Sequence, residues 1–197
     1  MIEKTKAFAR EVFAGDASGH DFDHTLRVFH MATRLAREEG ADLQIVQLAA
    51  LLHDVDDRKL SPDTCEGKLR AVTFLRDLGV DEGVIQTIVD IITRISFSAQ
   101  LSPPESLEGK CVQDADRLDA MGAIGIARTF AYGGSRGRRM HDPLRQDAQA
   151  TIEHFYEKLL LLKDSMHTAT GQRLAQQRDQ YMREFLEQFY AEWNGER

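Results

Sequence analysis

Apolar residues recur every three or four positions through almost the whole of this 197-residue chain, and only four prolines interrupt the pattern. That spacing lines apolar side chains along one face of an α-helix, whereas a half-buried strand would alternate them. It predicts helices at 2–14, 22–39, 42–54, 65–78, 81–94, 111–132, 149–163 and 168–193, the sixth of them broken or bent near Gly122–Gly125. The predicted fold is all-α, a bundle of about eight helices in a single domain over residues 1–197.

Residues typical of helix ends support several of these limits. Asp21 is placed to accept hydrogen bonds from the first turn of the second helix, and Gly40 is placed to end that helix. Asp63 or Thr64 is predicted to cap the fourth helix. In the last helix four aromatic residues recur at four-residue spacing, which predicts a face that packs into the core rather than a partner surface. They are Tyr181, Phe185, Phe189 and Trp193.

Charge and composition exclude several classes of protein. The formal net charge is 25 − 32 = −7, which argues against nucleic acid as a partner, because phosphate backbones require clustered cations. Cys65 and Cys111 are too few for a zinc knuckle or a disulfide framework and are predicted to be reduced core residues. No signal peptide and no apolar run of about 18 residues is evident, so we expect a cytoplasmic protein without a membrane partner. The sequence is silent on oligomeric state.

The segment AALLHDVDDRK, residues 49–59, joins a buried helix to a cluster of titratable groups. A buried carboxylate or charged imidazole costs several kcal/mol unless something pairs with it. The cluster is therefore either exposed to solvent or bound to a partner such as a metal ion. His53 and Asp54 point about 100° apart on a helix, yet both can reach a cation seated between them. The partial negative charge of a helix C-terminus also favours a cation there.

Two other helices carry candidate ligands. His24 shares an inward-facing stripe with Val28, Met31 and Leu35, so it is either a metal ligand or a hydrogen-bonded core histidine. A second apolar, glycine-rich helix carries three acids that are hard to explain as a solvated surface: Asp114, Asp116 and Asp119. The side chains at 116 and 119 lie on one face of that helix. Asp114 lies off that face and is interpreted as an acid that supports a ligand or caps a backbone group.

The order His24, His53-Asp54 and Asp116 resembles the signature of the HD-domain metal-dependent phosphohydrolases. The resemblance extends over most of the chain and includes the segments GHDFDHTLRV, LLHDVDDRK, QDADRLDAMGAIGIARTF and HFYEKLLLLKDSMHTATGQRLA, all similar to a bacterial HD subgroup of about this length. It implies a single-domain HD bundle in which His24, His53, Asp54 and Asp116 bind one divalent metal ion. Two imidazoles and two carboxylates suit Mn, Ni, Fe, Co or Mg, whereas zinc prefers fewer ligands with more nitrogen or sulfur.

The same resemblance implies an enzyme that hydrolyses phosphate esters or anhydrides of nucleotides through a metal-activated water. Release of pyrophosphate from nucleoside triphosphates is the leading activity within that subgroup. The alternatives are a nucleoside monophosphatase, a cyclic-nucleotide phosphodiesterase or a non-catalytic nucleotide-binding sensor, the last disfavoured by the complete set of ligands. Nothing in the sequence indicates a preference for one base or sugar.

One further carboxylate is predicted to be catalytic. Asp57 follows the His53-Asp54 pair by three residues, as an acid does in many HD relatives, and is placed to take a proton from the attacking water. Its alternative is a solvated cap or a salt bridge to Arg58 or Lys59.

Six side chains are predicted to bind substrate: His20, Lys59, Arg117, Asp119, Arg139 and Lys158. Arg139 lies with Arg136 and Arg138 in the long connection Gly133–Gln149, and guanidinium groups on such a loop suit phosphate oxygens. A solvated basic loop is the alternative for these arginines. An ordinary loop histidine is the alternative for His20, and a surface helix pair is the alternative for Lys158. The other long connection is Ser96–Gly109, which contains Pro103-Pro104.

Overall fold

The computed structural model describes residues 1–14, 21–57, 63–95, 103–144 and 146–197. Within these ranges the chain is helical and contains no strand, which confirms the all-α prediction. The α-helices are α1 (Ile2–Val12), α2 (Phe22–Glu39), α3 (Leu43–Leu52), α4 (Leu69–Asp77), α5 (Glu82–Ile95), α6 (Leu107–Asp119), α7 (Gly122–Ser135), α8 (Glu153–Glu157) and α9 (Ala169–Trp193). Short 3₁₀ segments cover Glu66–Lys68 and Leu159–Ser165. No helix in the described ranges combines the length and the apolar character needed to cross a bilayer.

The chain divides into two compact units, residues 1–116 and 117–197. One domain over residues 1–197 therefore stays a prediction.

Helix α3 is the centre of the first unit. It packs against α1, α2 and α5, and its side chains from Leu48 to Leu52 are fully buried. Asp42 caps it by accepting hydrogen bonds from the backbone N–H groups of Gln44 (2.9 Å) and Ile45 (3.1 Å). Because α3 is surrounded by other helices, the residues at its C-terminal end emerge directly from the core.

Both predicted ends of α2 are confirmed. The Asp21 carboxylate accepts a hydrogen bond from the His24 N–H at 2.7 Å, which satisfies one of the unpaired donors of the first turn. Gly40 ends the helix in the left-handed region, with φ 79°, where glycine meets no steric penalty.

The predicted cap of the fourth helix is wrong. Helix α4 begins at Leu69, after a 3₁₀ turn, and the buried Thr64 hydroxyl has no hydrogen-bond partner among the residues that the structure describes. The first-turn N–H groups of Arg70 and Ala71 instead donate to the carboxylate of Asp56, at 3.2 and 3.0 Å. The cap thus comes from a residue that precedes the helix by more than a dozen positions.

The sixth predicted helix, 111–132, is broken into two helices near the predicted position, so the break rather than the bend is confirmed. Helix α6 begins earlier, at Leu107, and ends at Asp119, and α7 begins at Gly122 with φ 67°. That left-handed backbone suits glycine and breaks the helix close to the predicted bend. The seventh predicted helix, 149–163, is reduced to α8 and the 3₁₀ segment Leu159–Ser165, because the backbone of Lys158 leaves the helical region at φ −138°.

Helix α9 packs on α7 in the second unit, and its aromatic face is only partly a core face. Phe185 and Phe189 contact the ring of Phe130, with centroids about 6 Å apart. Tyr181 is 52% exposed and Trp193 is 42% exposed, so the prediction is wrong for Tyr181 and holds only in part for Trp193. The buried hydrophobic side chains of this helix are those of Leu174, Ala175, Met182 and Leu186, which follow a different stripe.

The two cysteines form no disulfide. Cys111 is fully buried, as predicted, whereas Cys65 is half-buried. Burial, followed by the charge of Asp114, raises the pKa of the Cys111 thiol to about 12. Cys111 is therefore a protonated packing residue.

Candidate metal centre

The His53-Asp54 pair stands in a turn at the C-terminal end of α3. The helix ends at Leu52, and the Val55 N–H donates to the Leu52 carbonyl at 3.3 Å. The Asp57 N–H then donates to the Asp54 carbonyl at 3.0 Å. Since the α-helix does not continue, Asp54 and Asp57 do not share a helix face. Asp57 belongs instead to the same closed turn.

His53 has one of its ring nitrogens fixed by the backbone. Its Nδ1 lies 2.8 Å from the Ala50 carbonyl oxygen, and since a carbonyl only accepts, Nδ1 carries a proton and donates it. The other nitrogen, Nε2, lies 3.2 Å from Asp54 Oδ2 and 3.3 Å from His24 Nε2. When the ring is neutral, the lone pair of Nε2 therefore faces the two other side chains.

Helix α2 contributes the second imidazole and α6 the second carboxylate. The Nε2 of His24 lies 3.7 Å from Asp54 Oδ2 and 3.4 Å from Asp116 Oδ1. Both histidine rings are almost fully buried, whereas the side chain of Asp116 is 30% exposed. The structure thus groups His24, His53 and Asp54 closely and places the fourth predicted ligand, Asp116, beside His24, with the carboxylate side of the site open to solvent.

The charges of these groups are strongly coupled. Burial disfavours the charged form of His53, but the charge and hydrogen bond of Asp54 and the charge of Asp116 outweigh it and raise the pKa of His53 to about 9. Burial acts to raise the pKa of Asp116, yet the hydrogen bond from His24 and the charges of both histidines lower it overall. Two acids beside two buried imidazoles thus favour added positive charge, either a proton or a cation.

The donor atoms fit a divalent cation. Ligand atoms in adjacent positions of an octahedral ion with bonds of about 2.1 Å are about 3.0 Å apart, close to the 3.2–3.7 Å measured among these side chains. The ligand atoms of His24, His53 and Asp54 all lie within 4.8 Å of one another. The Nδ1 donation of His53 to a backbone carbonyl is also what orients metal-binding histidines in proteins.

The other acids near the cluster occupy different environments. Asp57 is half-buried. Asp114 is fully buried on α6, and its charge contributes to the raised pKa of the Cys111 thiol. The supporting role predicted for Asp114 stays a prediction.

Arg117 and Asp119 make contacts within the second unit. The Arg117 guanidinium donates to the Ser165 carbonyl and lies 3.0 Å from His167 Nε2. The carboxylate of Asp119 is buried and forms an ion pair with Arg128 of α7. Both side chains thus hold the chain after α6 together.

Several side-chain and backbone contacts hold the arginine-rich connection Gly133–Gln149 in place. Arg139 lies 3.5 Å from the carboxylate of Asp142, whose oxygens accept hydrogen bonds from the backbone of Gln146 and Asp147, both at 2.9 Å. Those hydrogen bonds lower the pKa of Asp142. The exposed guanidinium groups of Arg136 and Arg138 lie over one ring, that of Tyr132. The described part of this connection is an ordered basic surface.

Lys158 is half-buried where α8 ends, one helical turn after His154. Burial and the charge of Lys158 lower the pKa of His154, with a smaller effect of Arg138. Two other predicted substrate-binding residues, His20 and Lys59, lie outside the described residues.

The sequence reasoning missed Asp56, which is 1% exposed and lies between two predicted functional residues. No signal for it was present in the sequence, because the predicted fourth helix began at 65 with a local cap, and only the structure shows that α4 begins after Lys68, which has no side-chain acceptor to offer.

A surface cleft of about 420 Å³ lies on α2 and α3, lined by Phe29, His30, Thr33, Arg34, Arg37, Glu38 and Gln47. None of these residues belongs to the predicted site. The chemistry of the clustered side chains, rather than cleft size, therefore marks the functional centre.

Comparison with known proteins agrees with this geometry. The HD domain model matches residues 21–121, a range that contains all four clustered side chains. The Bacillus subtilis protein YpgQ is 41% identical over 192 residues, which cover 95% of this chain and 91% of YpgQ.

Solved structures show the same fold. The crystal structure of an HD-superfamily hydrolase from Bacillus thuringiensis matches with a TM-score of 0.84 and 47% identity, over 98% of this chain and 96% of that one. The crystal structure of Bacillus subtilis YpgQ in complex with ADP matches with a TM-score of 0.82 and 34% identity, over 98% and 97%. This chain therefore belongs to the HD-domain family of metal-dependent phosphohydrolases.

Proposed function

We propose that this protein hydrolyses nucleoside triphosphates and releases pyrophosphate, with one divalent ion held by His24, His53, Asp54 and Asp116. The observation that carries the proposal is the cluster of His24, His53 and Asp54, whose ligand atoms all lie within 4.8 Å of one another, with Asp116 Oδ1 3.4 Å from His24 Nε2. A divalent ion bound there supplies Lewis acidity, which lowers the pKa of a water molecule and withdraws charge from a phosphoryl oxygen.

The residues of the chain prepare the site for that chemistry. The Ala50 carbonyl holds the ring of His53 so that its Nε2 faces the cluster. The buried rings of His24 and His53 keep bulk water away from one side of the site, and low polarity there strengthens charge interactions. Asp116 lies at the solvent-exposed side, where substrate and water can approach.

Asp57 is the proposed proton acceptor for the attacking water. It belongs to the same closed turn as the ligand Asp54, whose carbonyl accepts its N–H. A base in that turn keeps a fixed relation to the ligand pair, as general base catalysis requires.

A nucleotide substrate is supported by the YpgQ crystal structure, which contains ADP and matches this chain at 34% identity over almost its whole length. Phosphoryl transfer asks the protein mainly for positioning and neutralisation of charge. The proposed substrate-binding residues are His20, Lys59, Arg117, Asp119, Arg139 and Lys158.

The test is a panel of nucleoside triphosphates, monophosphates and cyclic nucleotides, supplied with Mn²⁺ or Mg²⁺, in which orthophosphate and pyrophosphate are measured separately. We expect pyrophosphate from triphosphates and its loss in Asp54→Ala. Asp81→Ala is the matched control, because Asp81 is an exposed cap of α5 that accepts from Gly83 N–H at 2.9 Å. Orthophosphate from monophosphates, or opening of cyclic nucleotides, would replace the proposal with those activities. Metal-loaded protein that released nothing would be a nucleotide sensor.

A further inference from the structure

We propose that Asp56 is a positioning residue for the metal centre, because it fastens the turn that carries His53 and Asp54 to the N-terminus of α4. The inference rests on the metal site of the proposed function. Asp56 is 1% exposed, and its two carboxylate oxygens accept hydrogen bonds from the backbone N–H groups of Arg70 and Ala71, at 3.2 and 3.0 Å.

This contact satisfies two needs at once. A buried carboxylate is stable only when its oxygens accept hydrogen bonds, and the first turn of a helix has N–H groups without partners and a partial positive charge. Helix α4 has no side-chain cap of its own, since Lys68 occupies the position before it. The carboxylate and the helix end therefore stabilise each other.

The backbone directly before α4 shows that the contact between Asp56 and α4 is held under constraint. Lys68 adopts φ 54°, and within the described ranges it is the one non-glycine residue with a positive φ. Its Nζ lies 3.5 Å from the Asp56 carbonyl oxygen. Strained backbone of this kind persists where surrounding contacts over-determine it and is concentrated at functional sites. Residues at the start of α4 and directly before it thus bind both the side chain and the main chain of Asp56.

The turn is consequently fixed on both sides of the ligand pair. Before it, the His53 ring donates to the Ala50 carbonyl. After it, Val55 is fully buried and Asp56 binds α4. Residues that orient metal ligands without touching the metal typically change affinity by about 10–100-fold when they are removed. Asp56 acts in this way, through the position of the turn.

The test is titration of metal-free protein with Mn²⁺ by calorimetry, for wild type, Asp56→Ala, Asp56→Asn and the control Asp81→Ala. We expect binding to weaken by about 10–100-fold in Asp56→Ala. Asp56→Asn retains one acceptor oxygen, so its Mn²⁺ affinity should lie between those of the wild type and Asp56→Ala. Asp81→Ala also loses a helix cap, but that of α5 rather than α4, so the Mn²⁺ affinity of this variant should equal that of the wild type. A folded Asp56→Ala protein with wild-type affinity, or equal weakening in Asp81→Ala, would overturn the inference.

Amide hydrogen exchange gives a second readout that needs no catalysis. Because Asp56 joins the turn of His53 and Asp54 to α4, Mn²⁺ binding should slow amide exchange at Arg70 and Ala71 in the wild type. The slowing should be much smaller in Asp56→Asn, the variant to use if Asp56→Ala does not fold. Equal slowing in both proteins, or no Mn²⁺ binding by wild type, would contradict the inference. If Mn²⁺ slowed exchange at Arg70 and Ala71 as expected but the protein hydrolysed no nucleotide, only the proposed function would be contradicted.

Discussion

The Nε2 atoms of His24 and His53 lie 3.3 Å apart in a site that buries both rings almost completely. Two nitrogens at that distance, beside two carboxylates, must share either a proton or a cation. We therefore expect proton and metal to compete for this cluster.

Metal binding is expected to strengthen as pH rises. The pKa of His53 is raised to about 9 in the metal-free protein, since the charges of Asp54 and Asp116 outweigh the opposing effect of burial. An ion must displace this proton, so the affinity for Mn²⁺ should rise by up to about tenfold per pH unit and level off above about pH 9. Calorimetry from pH 6 to 9.5 measures this. His30→Ala, which removes an exposed histidine of α2, should keep the same profile, and a profile flat from pH 6 would contradict the assignment.

The same shift affects the stability of the metal-free protein. A raised folded-state pKa contributes stability that is fully present below the unfolded value of about 6.5 and is lost as pH rises through about 9. Added Mn²⁺ should therefore raise the melting temperature most at alkaline pH.

Removal of a ligand should abolish metal binding without unfolding the chain. Asp54→Ala deletes a carboxylate at the solvent-accessible end of α3 and leaves the buried part of that helix intact. We expect metal affinity to fall by more than about 100-fold, beyond the loss typical of residues that only support a ligand. Metal content and circular dichroism measure the two properties. Full metal occupancy in His24→Ala would show that His24 is not a ligand.

Asp57→Asn should separate catalysis from metal binding. Loss of a general base typically lowers turnover by about 10²–10⁴-fold, while the four ligands and the turn of Asp54 remain. Turnover is measured at saturating substrate together with metal content. Unchanged turnover would remove Asp57 from the mechanism, and loss of metal would assign it to the metal site.

Lys68→Gly should be more stable than Lys68→Ala. Both variants lose the contact of Nζ with the Asp56 carbonyl, but only glycine relieves the left-handed backbone at φ 54°. We expect a difference of about 1 kcal/mol in the free energy of unfolding, measured by urea denaturation. Equal stability of the two variants would mean that the backbone at Lys68 carries no strain.

Local structure was predictable because its determinants lie within a few residues of one another. The periodicity of α2 and the roles of Asp21 and Gly40 follow from contacts within one or two helical turns. The order of His24, His53-Asp54 and Asp116 was sufficient to place the chain in its family. In contrast, α6 begins four residues before its predicted start, because propensity alone does not fix where a helix begins.

The sequence by itself thus determined a helical protein and the residue types of its candidate metal centre. Only the tertiary structure decided which partner each polar side chain has: Asp56 with α4, Asp119 with Arg128, and Arg117 with the Ser165 carbonyl. These pairs join positions from 9 to 48 residues apart along the chain, and each forms because burying a charged group is costly unless it is hydrogen-bonded or paired. Helix packing, rather than any local pattern of residues, determines which partner is within reach.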